Sequence, residues 1–163
     1  FVLFNRSWYN RAGVERVMRF CNDQEYESFI DAVLPFEHML IGSGIQIVKY
    51  YLDISKKEQK KRLKARRDDP LKQWKISPID KVAIEHFDDY TQARDEMLTR
   101  TSSPLSPWII VGADDKHSAR LNVIRALLSR LACPETEKHL AIPDPEVVFA
   151  YDQAHARAGL LAA

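Results

Sequence analysis

The sequence predicts an α/β domain in which a parallel β-sheet is flanked by helices. Three short segments rich in apolar, β-branched and aromatic residues have the composition of buried strands. Longer segments with helix caps or helical spacing lie between and after them. Strands that alternate with helices indicate a parallel sheet, because parallel neighbours need a crossover connection. The 163 residues correspond to about one domain and contain no internal repeat.

The first predicted strand is residues 1–4, which we expect to be buried. This segment has no initiator methionine, no charged region and no small-residue cleavage site. It is therefore not a signal peptide, and we expect the sequence to begin inside a domain. A polar and aromatic segment follows at residues 5–11, and residues 12–20 predict a short helix.

A second helix is predicted over residues 23–40. Asn22 and Glu25 have the spacing of an N-cap pair, and Gly42-Ser43-Gly44 supplies the C-terminal stop. Residues 45–54, which are rich in isoleucine, valine and tyrosine, then predict a second and largely buried strand.

A basic helix is predicted to begin at residue 56 and to end at about residue 67. Ser55 and Glu58 have the spacing of a capping box, and Asp68-Asp69-Pro70 ends the helix. A second capping box begins at Ser77, with Pro78 at the first helical position, and predicts a long helix to about residue 100.

The last predicted elements are a strand, a helix and a tail. Residues 108–111 predict a third buried strand, and the tail, residues 134–163, is expected to be a partly disordered strap on the surface. The core face of the terminal helix is predicted from the spacing i, i+3, i+4, i+7. Its members are Ile124, Leu127, Leu128 and Leu131.

The composition excludes several classes of protein. Apolar residues make up 45% and charged residues 29% of the chain, which excludes collagen-like and low-complexity classes. No apolar run approaches the roughly 20 residues of a membrane helix. Cys21 and Cys133 are far apart, so neither a disulfide framework nor a zinc pattern is present. We therefore expect a cytoplasmic protein that does not bind membranes.

The net charge of +1 is the sum of one strongly basic segment and an acidic remainder. Residues 56–75 include ten basic and three acidic residues, a charge of +7, so the rest of the chain carries −6. Like charges four residues apart on a helix repel each other by roughly a few tenths of a kcal/mol per pair. The segment therefore predicts either contact with a polyanion or a solvated helix face, and both interpretations stay open.

The polar segment at residues 5–11 is a candidate ligand site. Ligands of α/β folds bind where strands end at the carboxyl edge of the sheet. Arg6 and Arg11, with Asn10 between them, suit phosphate oxygens because guanidinium groups bind these oxygens in pairs. The alternative is a surface turn whose Trp8 and Tyr9 pack into the core.

Other polar and aromatic residues carry weaker signals. Trp74 lies among lysines and could stack on a base, although a single tryptophan is more often packed in the interior. Asp114 and Asp115 could bind a cation or cap the last helix. No glycine-rich phosphate loop is found. The histidines lack metal-ligand spacing and are predicted to be structural or exposed: His38, His86, His117, His139 and His155.

Two long motifs resemble the polyphosphate kinase-2 family. Residues 4–18, FNRSWYNRAGVERVM, are similar to the family's FDRSWYNRAGVERVM, and residues 69–78, DPLKQWKISP, are similar to its lid signature DPLKQWKLSP. Shorter similarities follow at residues 88–90, 107–108 and 115–122. The resemblance extends in order over residues 1–131, and motifs of this length are very specific.

The resemblance implies a P-loop kinase-like three-layer sandwich with a helical lid at about residues 55–77. The chain would comprise part of that domain, residues 1–133, followed by the tail. Members of the family transfer a phosphoryl group between inorganic polyphosphate and a nucleotide, with Mg²⁺. The expected partners are therefore polyphosphate and a nucleoside diphosphate or triphosphate (ADP/ATP or GDP/GTP). The family also implies self-association.

The same resemblance assigns roles to individual residues. Asn5 would lie at the metal position of the catalytic set, Arg6, Asn10 and Arg11 would hold phosphates, and Glu15 would order that cluster. The lid would close over the polyanion through its cations Arg62, Arg66, Arg67, Lys72 and Lys75. These roles agree with the chemistry of phosphoryl transfer, which depends mainly on positioning and on cations.

Two departures from the family predict impaired activity. The family has aspartate at the position of Asn5, which would bind Mg²⁺, and a carboxamide keeps an oxygen but loses the negative charge. The family's phosphate loop precedes the opening strand, so we expect it to be absent here. The alternative function is a non-catalytic module that binds a polyanion, either polyphosphate or nucleic acid.

Overall fold

Three strands form one small mixed sheet in the part of the chain that the structure describes. The computed structural model describes residues 1–77, 82, 84–131, 142–152, 154 and 161–162. The strands lie in the order β1 (Lys49–Asp53), β2 (Trp108–Gly112) and β3 (Val148–Ala150). β1 and β2 are parallel, as predicted, whereas β3 is antiparallel to β2. The prediction of a wholly parallel sheet is therefore wrong at β3.

Four helices of eight or more residues accompany the sheet in the described part of the chain. They are α1 (Asp23–Gly42), α2 (Lys56–Asp68), α3 (Phe87–Thr101) and α4 (Lys116–Leu128). Shorter helical turns occur at Trp8–Asn10, Arg11–Glu15 and Gln73–Lys75. The predicted short helix at residues 12–20 therefore begins earlier than expected. None of the described helices combines the length and apolarity that a membrane crossing requires.

Side chains alternate across β2 and bury it on both faces. Trp108 and Ile110 pack with Tyr26 and Leu98, which lie on α1 and α3. Residues of the opposite face, such as Val111, pack against α4 and β3. A strand buried on both faces is expected at the centre of a layered α/β domain. The predicted helix–sheet–helix layers are therefore confirmed.

Local sequence signals place several helix ends correctly. The Asn22 side chain accepts a hydrogen bond from the Glu25 N–H at 2.9 Å, and the Glu25 carboxylate accepts one from the Asn22 N–H at 2.8 Å. Gly44 takes the left-handed turn after α1 with φ of 90°. α2 ends at Asp68, one residue beyond the predicted end.

The second strand is shorter than predicted, and the predicted long helix has a turn at His86 between helical residues at 82, 84 and 85 and the helix that follows. β1 covers Lys49–Asp53 rather than residues 45–54. α3 begins at Phe87, after a turn at His86, and ends at Thr101. The capping box predicted at residues 77–80 extends beyond the described residues.

The opening segment does not form the predicted buried strand. Residues 1–4 are exposed, from 62% at Phe4 to 94% at Phe1, and pair with none of the described strands. Composition shows that a segment fits a pleated, half-buried surface, but the strand forms only where such a surface is present. In the described part of the chain, residues 1–4 do not pair with the edge of β1 that faces away from β2.

The predicted core face of the last helix is also wrong. Ile124 and Leu131 are 53% and 37% exposed, and Leu127 and Leu128 are half-buried. The helix instead buries the smaller residues Ala119, Asn122 and Ala126, which allow close packing on the sheet. Asn122 is buried because its amide donates to the Ser118 carbonyl and its oxygen accepts from the Asp144 N–H.

Part of the tail belongs to the core rather than to a surface strap. Residues 148–150 form the edge strand β3, and Leu161 is 5% exposed within the main core. Ala162 binds Asp53 and Arg94 through its N–H and carbonyl. The sequence around β3 is rich in proline and alanine and did not predict a strand. A strand of three residues is too short to produce a clear alternation of apolar and polar side chains.

Arg19 is held in a strained backbone conformation. Its φ is 55°, and the turn is closed by hydrogen bonds from the Arg19 N–H to the Arg16 carbonyl and from the Phe20 N–H to the Glu15 carbonyl. This helix-ending turn requires a left-handed residue, and glycine adopts that conformation without the steric cost of a β-carbon.

We predict that Arg19→Gly stabilises the fold by about 1 kcal/mol, because the left-handed conformation strains other residues by about that amount. Urea unfolding followed by circular dichroism measures the change. The matched control is Arg120→Gly in the exposed interior of α4, which should destabilise the fold by about 1 kcal/mol. A loss of stability in Arg19→Gly would contradict the assignment of strain.

Candidate functional site

The carboxyl ends of β1 and β2 lie side by side and lead directly into helices. β1 ends at Asp53 shortly before α2 begins, and β2 ends at Gly112 shortly before α4 begins. The two ends are joined by a hydrogen bond of 2.7 Å from the Ala113 N–H to the Asp53 carbonyl. This arrangement brings the start of the basic helix close to the start of α4.

Asp114 and Asp115 have structural roles at this edge. Asp114 accepts hydrogen bonds of 2.8 and 2.7 Å from the N–H and hydroxyl of Ser55, and so completes the cap of α2. Asp115 caps α4 by accepting from the N–H groups of His117 and Ser118, which hold the pKa of its carboxyl below the usual range. The capping interpretation is therefore confirmed.

A cavity of about 470 Å³ opens beside these residues. Its lining includes the carboxylates of Asp53, Asp114 and Asp115. Asp53 is held by Arg94 at 3.0 Å, and the other two carboxylates accept the hydrogen bonds of the helix caps. A cavity lined by carboxylates repels phosphate groups, so it is not a polyanion site.

The basic helix is fastened to the loop after β2 through Arg62. The Arg62 guanidinium donates to the carbonyls of Ala113 and Asp114 at 2.6 and 3.0 Å and pairs with Glu58 at 2.8 Å. Glu58 therefore binds Arg62 rather than the Ser55 N–H, so the predicted capping box is only half formed. Arg62 positions the helix as well as contributing charge.

The other cations of the predicted lid differ in their surroundings. Lys72 pairs with Asp69 at 2.6 Å, and Arg67 is exposed. Arg66 and Lys75 lie close enough to Lys116 to act on it electrostatically, as Arg62 does. Desolvation, followed by these three positive charges, lowers the pKa of the Lys116 ammonium. Lys116, at the start of α4, therefore lies near three of these cations.

Trp74 is 78% exposed, so its predicted packing in the interior is wrong. Its indole N–H donates to the Leu71 carbonyl at 2.9 Å, and the Lys75 ammonium lies 5.0 Å from its ring centroid. Stacking of Trp74 on a base stays a prediction.

The residues predicted to hold phosphates belong to the segment that precedes α1. Asn5 and Arg6 are exposed, and Arg6 has a left-handed φ of 66°. Arg11 pairs with Glu15 at 3.0 Å, as expected if Glu15 orders the cluster. Asn10, which directly precedes Arg11 in the sequence, is half-buried.

The segment at residues 5–11 is positioned by packing and not by the end of a strand. Tyr9 is 7% exposed, and its ring lies 4.7 Å from that of Trp108, the first residue of β2. The prediction that this segment follows a strand at the carboxyl edge is therefore wrong. The packing interpretation holds for Trp8 and Tyr9, while Arg6 remains accessible.

A buried polar network beneath Tyr9 was not visible in the sequence. Glu37 is fully buried and accepts hydrogen bonds from Tyr9 at 2.9 Å, Ser106 at 2.8 Å and Trp8 at 3.4 Å. Lys49 pairs with Glu37 at 2.8 Å and also donates to the Thr101 carbonyl. Because α1 and β1 supply Glu37 and Lys49 from positions without any motif, only the folded chain identifies the pair.

Burial shifts the pKa values of this network in the expected directions. Desolvation, with the charge of Glu37, raises the pKa of the Tyr9 phenol, which therefore stays protonated and donates to Glu37. Desolvation lowers the pKa of Lys49, although the contact with Glu37 acts in the opposite direction.

The first turn of α3 lies between the two predicted site segments. Lys56 of α2 pairs with Asp88 at 2.9 Å. Burial raises the pKa of Tyr90, two residues further on, and the charge of Arg6 opposes that rise. Arg6, which is predicted to hold phosphate, and the predicted lid helix therefore both approach the start of α3.

The residues described do not form a metal site by themselves. No group of three or more His, Cys, Asp or Glu side chains in the described ranges is arranged to hold an ion. His38 and His86 bind Ser103 and Asp89, and His117 is exposed, which confirms their predicted structural or solvent-exposed character. The two remaining histidines, at positions 139 and 155, are outside the described residues.

Comparison with known proteins now identifies the family. Residues 1–139 match the family described as Polyphosphate kinase 2 (PPK2). The chain belongs to the PPK2 family. This result confirms the resemblance of the two long motifs.

Similar PPK2 proteins are known from several bacteria. The chain is 52% identical over 146 residues to the ADP-polyphosphate phosphotransferase of Pseudomonas aeruginosa, covering 90% of this chain and 46% of that protein. It is 50% identical over 137 residues to the GDP-polyphosphate phosphotransferase of Mycobacterium tuberculosis, covering 84% and 46%. The chain thus spans about half the length of the curated relatives that it matches.

A solved PPK2 structure supports the fold. The crystal structure of Polyphosphate Kinase 2 from Arthrobacter aurescens TC1 superposes with a TM-score of 0.72 at 38% sequence identity. The superposition covers 95% of this chain and 52% of that one. The expected P-loop kinase-like α/β fold is therefore confirmed.

We predict that Glu37→Gln destabilises the fold by about 3 kcal/mol, because it leaves the Lys49 ammonium buried without its negative partner. Lys49→Met should destabilise the fold by a similar amount. The double variant should lose less than the sum, with a coupling of about 1 kcal/mol or more. Urea unfolding of the four proteins measures this coupling, and strictly additive losses would show that the pair is not a functional unit of the fold.

Proposed function

We propose that this chain acts in phosphoryl transfer between inorganic polyphosphate and a nucleoside diphosphate, as a polyphosphate:nucleotide phosphotransferase of the PPK2 family. The observation that carries the proposal is the match of residues 1–139 to the family, which includes both long motifs. The relatives named for ADP and for GDP support a nucleotide substrate of that size. Self-association stays a prediction.

In the proposed reaction, a terminal phosphate oxygen of the nucleoside diphosphate attacks the terminal phosphorus of polyphosphate. A new P–O bond forms, the P–O–P bond to the next phosphate breaks, and the shortened polyphosphate leaves with the bonding electrons. The products are a nucleoside triphosphate and a polyphosphate shorter by one unit. The reverse reaction uses the same atoms, with the triphosphate as donor.

The residues of this chain would act mainly by holding phosphate oxygens. Negative charge is spread over the transferred group in the transition state, so positioned cations stabilise it. Arg6, Asn10 and Arg11 are the proposed contacts at one end, and the ion pair with Glu15 fixes the direction of the Arg11 guanidinium. The proposed lid contacts are Arg62, Arg66, Arg67, Lys72 and Lys75.

The described residues do not form a Mg²⁺ site, so the dependence on Mg²⁺ is part of the proposal. Asn5 supplies one uncharged oxygen, and the described side chains do not gather into a metal cluster. Mg²⁺ usually binds through one or two carboxylates together with substrate phosphates and water. We therefore propose that Asn5 weakens the binding of Mg²⁺ and impairs transfer.

We predict that Asn5→Asp, made in the full-length protein, accelerates Mg²⁺-dependent formation of nucleoside triphosphate by about tenfold or more. Loss of a group that only supports a metal ligand typically costs about tenfold or more in activity, and a direct ligand should matter at least as much. The reaction is followed with polyphosphate and ADP or GDP at several Mg²⁺ concentrations. Asn5→Ala, which lacks the side-chain oxygen, is the matched control and should give no gain. An unchanged rate in Asn5→Asp would refute the assignment of this position to the metal.

We predict that replacing Arg66, Arg67 and Lys72 together by glutamine weakens polyphosphate binding and flattens its dependence on salt, because fewer counterions are released. Fluorescence anisotropy of labelled polyphosphate measures both effects. The control replaces three exposed lysines of the same helix, Lys57, Lys60 and Lys64, and should weaken binding less. Equal affinities of the two triple variants at low salt would exclude the lid assignment.

The same assays separate transfer from binding alone. If polyphosphate binds but neither the original chain nor Asn5→Asp forms nucleoside triphosphate, the chain is a non-catalytic polyanion-binding module. Competition with single-stranded DNA then distinguishes a polyphosphate module from a nucleic-acid module.

A further inference from the structure

Trp74 is a large aromatic side chain that lies on the surface of the protein. It is 78% exposed, and the whole segment around it, residues 71–76, is exposed as well. A tryptophan that packs removes a large apolar area from water, and a tryptophan that stays in water loses that stabilisation. In the part of the chain that the structure describes, packing therefore gives no reason for a tryptophan at this position.

The ring is nevertheless held in a defined orientation. The Trp74 indole N–H donates to the Leu71 carbonyl at 2.9 Å. The turn that carries the ring is fastened to α2, because the Gln73 amide donates to the Arg67 carbonyl at 3.1 Å. A side chain that is already ordered loses less conformational entropy when a ligand packs on it. Trp74 is therefore a fixed platform for a flat partner rather than a freely moving surface side chain.

The charges beside the ring suit a ligand that combines an aromatic group with phosphates. The Lys75 ammonium lies over the Trp74 ring, 5.0 Å from its centroid, which is within the range of a cation–π contact. Lys72 precedes the turn, and its ammonium pairs with Asp69 at 2.6 Å. The other nearby carboxylate in the sequence, Asp68, is exposed at the end of α2. Because Lys75 lies over one face of a largely exposed ring, the opposite face is open to a ligand.

A nucleobase fits this arrangement better than polyphosphate or a protein does. Every base has a π face that stacks on an indole, whereas a polyphosphate chain has no flat apolar group. Protein interfaces also use exposed tryptophans, but lysines are depleted in them, and here Lys72 and Lys75 lie on either side of Trp74 in the sequence. In a nucleotide, the base and the phosphates belong to one molecule, so the indole and the cations can act together.

We propose that Trp74 stacks on the base of the nucleoside diphosphate, with the Lys75 ammonium on the opposite face of the ring. The proposal rests on the proposed function and deepens it, because it assigns the base to a residue, whereas the other proposed contacts hold phosphates. Stacking uses the face of the base and not its hydrogen-bonding edge, so it tolerates different bases. We therefore expect adenine and guanine nucleotides to depend on Trp74 to a similar extent.

The test compares Trp74→Ala with Leu71→Ala in the full chain. Leu71 is 83% exposed in the same segment, and its substitution leaves the backbone carbonyl in place, so each variant loses one exposed apolar side chain. Calorimetric titration measures the binding of ADP and of tripolyphosphate, which has phosphates but no base. We expect Trp74→Ala to weaken ADP binding about tenfold and tripolyphosphate binding less than about twofold, with less than about a twofold effect of Leu71→Ala on either ligand.

Tryptophan fluorescence provides a second readout. Trp108 is 5% exposed and Trp8 is half-buried, so Trp74 is the most exposed of the three tryptophans. ADP should quench the emission of the original chain, and tripolyphosphate should not. Trp74→Phe keeps an aromatic face, so it should bind ADP within about threefold of the original chain but lose this quenching.

Equal ADP affinities of Trp74→Ala and Leu71→Ala would overturn the assignment of Trp74 while leaving nucleotide binding intact. Equal losses for ADP and tripolyphosphate in Trp74→Ala would show that the ring only shapes the cationic turn, and would also overturn it. A loss in Trp74→Phe as large as that in Trp74→Ala would contradict stacking. Failure of the original chain to bind either ligand would instead overturn the proposed function itself.

Discussion

The arrangement of the site depends on the hydrogen bonds and the ion pair that surround the Glu37 carboxylate. This carboxylate is fully buried, and an ionised carboxylate in the interior is strongly destabilising unless donors surround it. Its four donors come from three segments of the chain: Trp8 and Tyr9, Lys49, and Ser106. None of these segments can move away without leaving a buried polar group unsatisfied. The network therefore fixes α1, β1, the loop before β2 and the helical turns at residues 8–15 relative to one another.

This constraint connects the two parts of the proposed site through β1. Lys49 begins the strand within the network, and Asp53 ends it close to Ser55, where the basic helix begins. The five residues from Lys49 to Asp53 span about 13 Å at the rise of a β-strand. The start of α3 is close to both parts. Asp88 pairs with Lys56 of the basic helix, and the positive charge of Arg6 opposes the rise in the pKa of Tyr90. The predicted lid helix and the segment at residues 5–11 thus both approach the start of α3.

The sequence predicted what is encoded locally. The caps at Asn22, Ser55 and Asp115 depend on residues two or three positions away, and the two long motifs are recognisable without a fold. What it could not predict depends on distant partners. The apolar stripe that contains Ile124 faces outward, because spacing defines a stripe but not the surface opposite it. The sequence does not distinguish Glu37 and Lys116 from its other charged residues, because their neighbours in the fold come from distant parts of the chain.

We expect the buried donors to Glu37, and not the hydrogen bonds of the turns alone, to hold the segment at residues 5–11 in place. Hydrogen–deuterium exchange of the amides at residues 8–15 in Glu37→Gln and in the original chain tests this claim most directly. We expect exchange there to become faster by about tenfold or more, while amides of α2 exchange as before. Unchanged protection of residues 8–15 in the folded variant would contradict it.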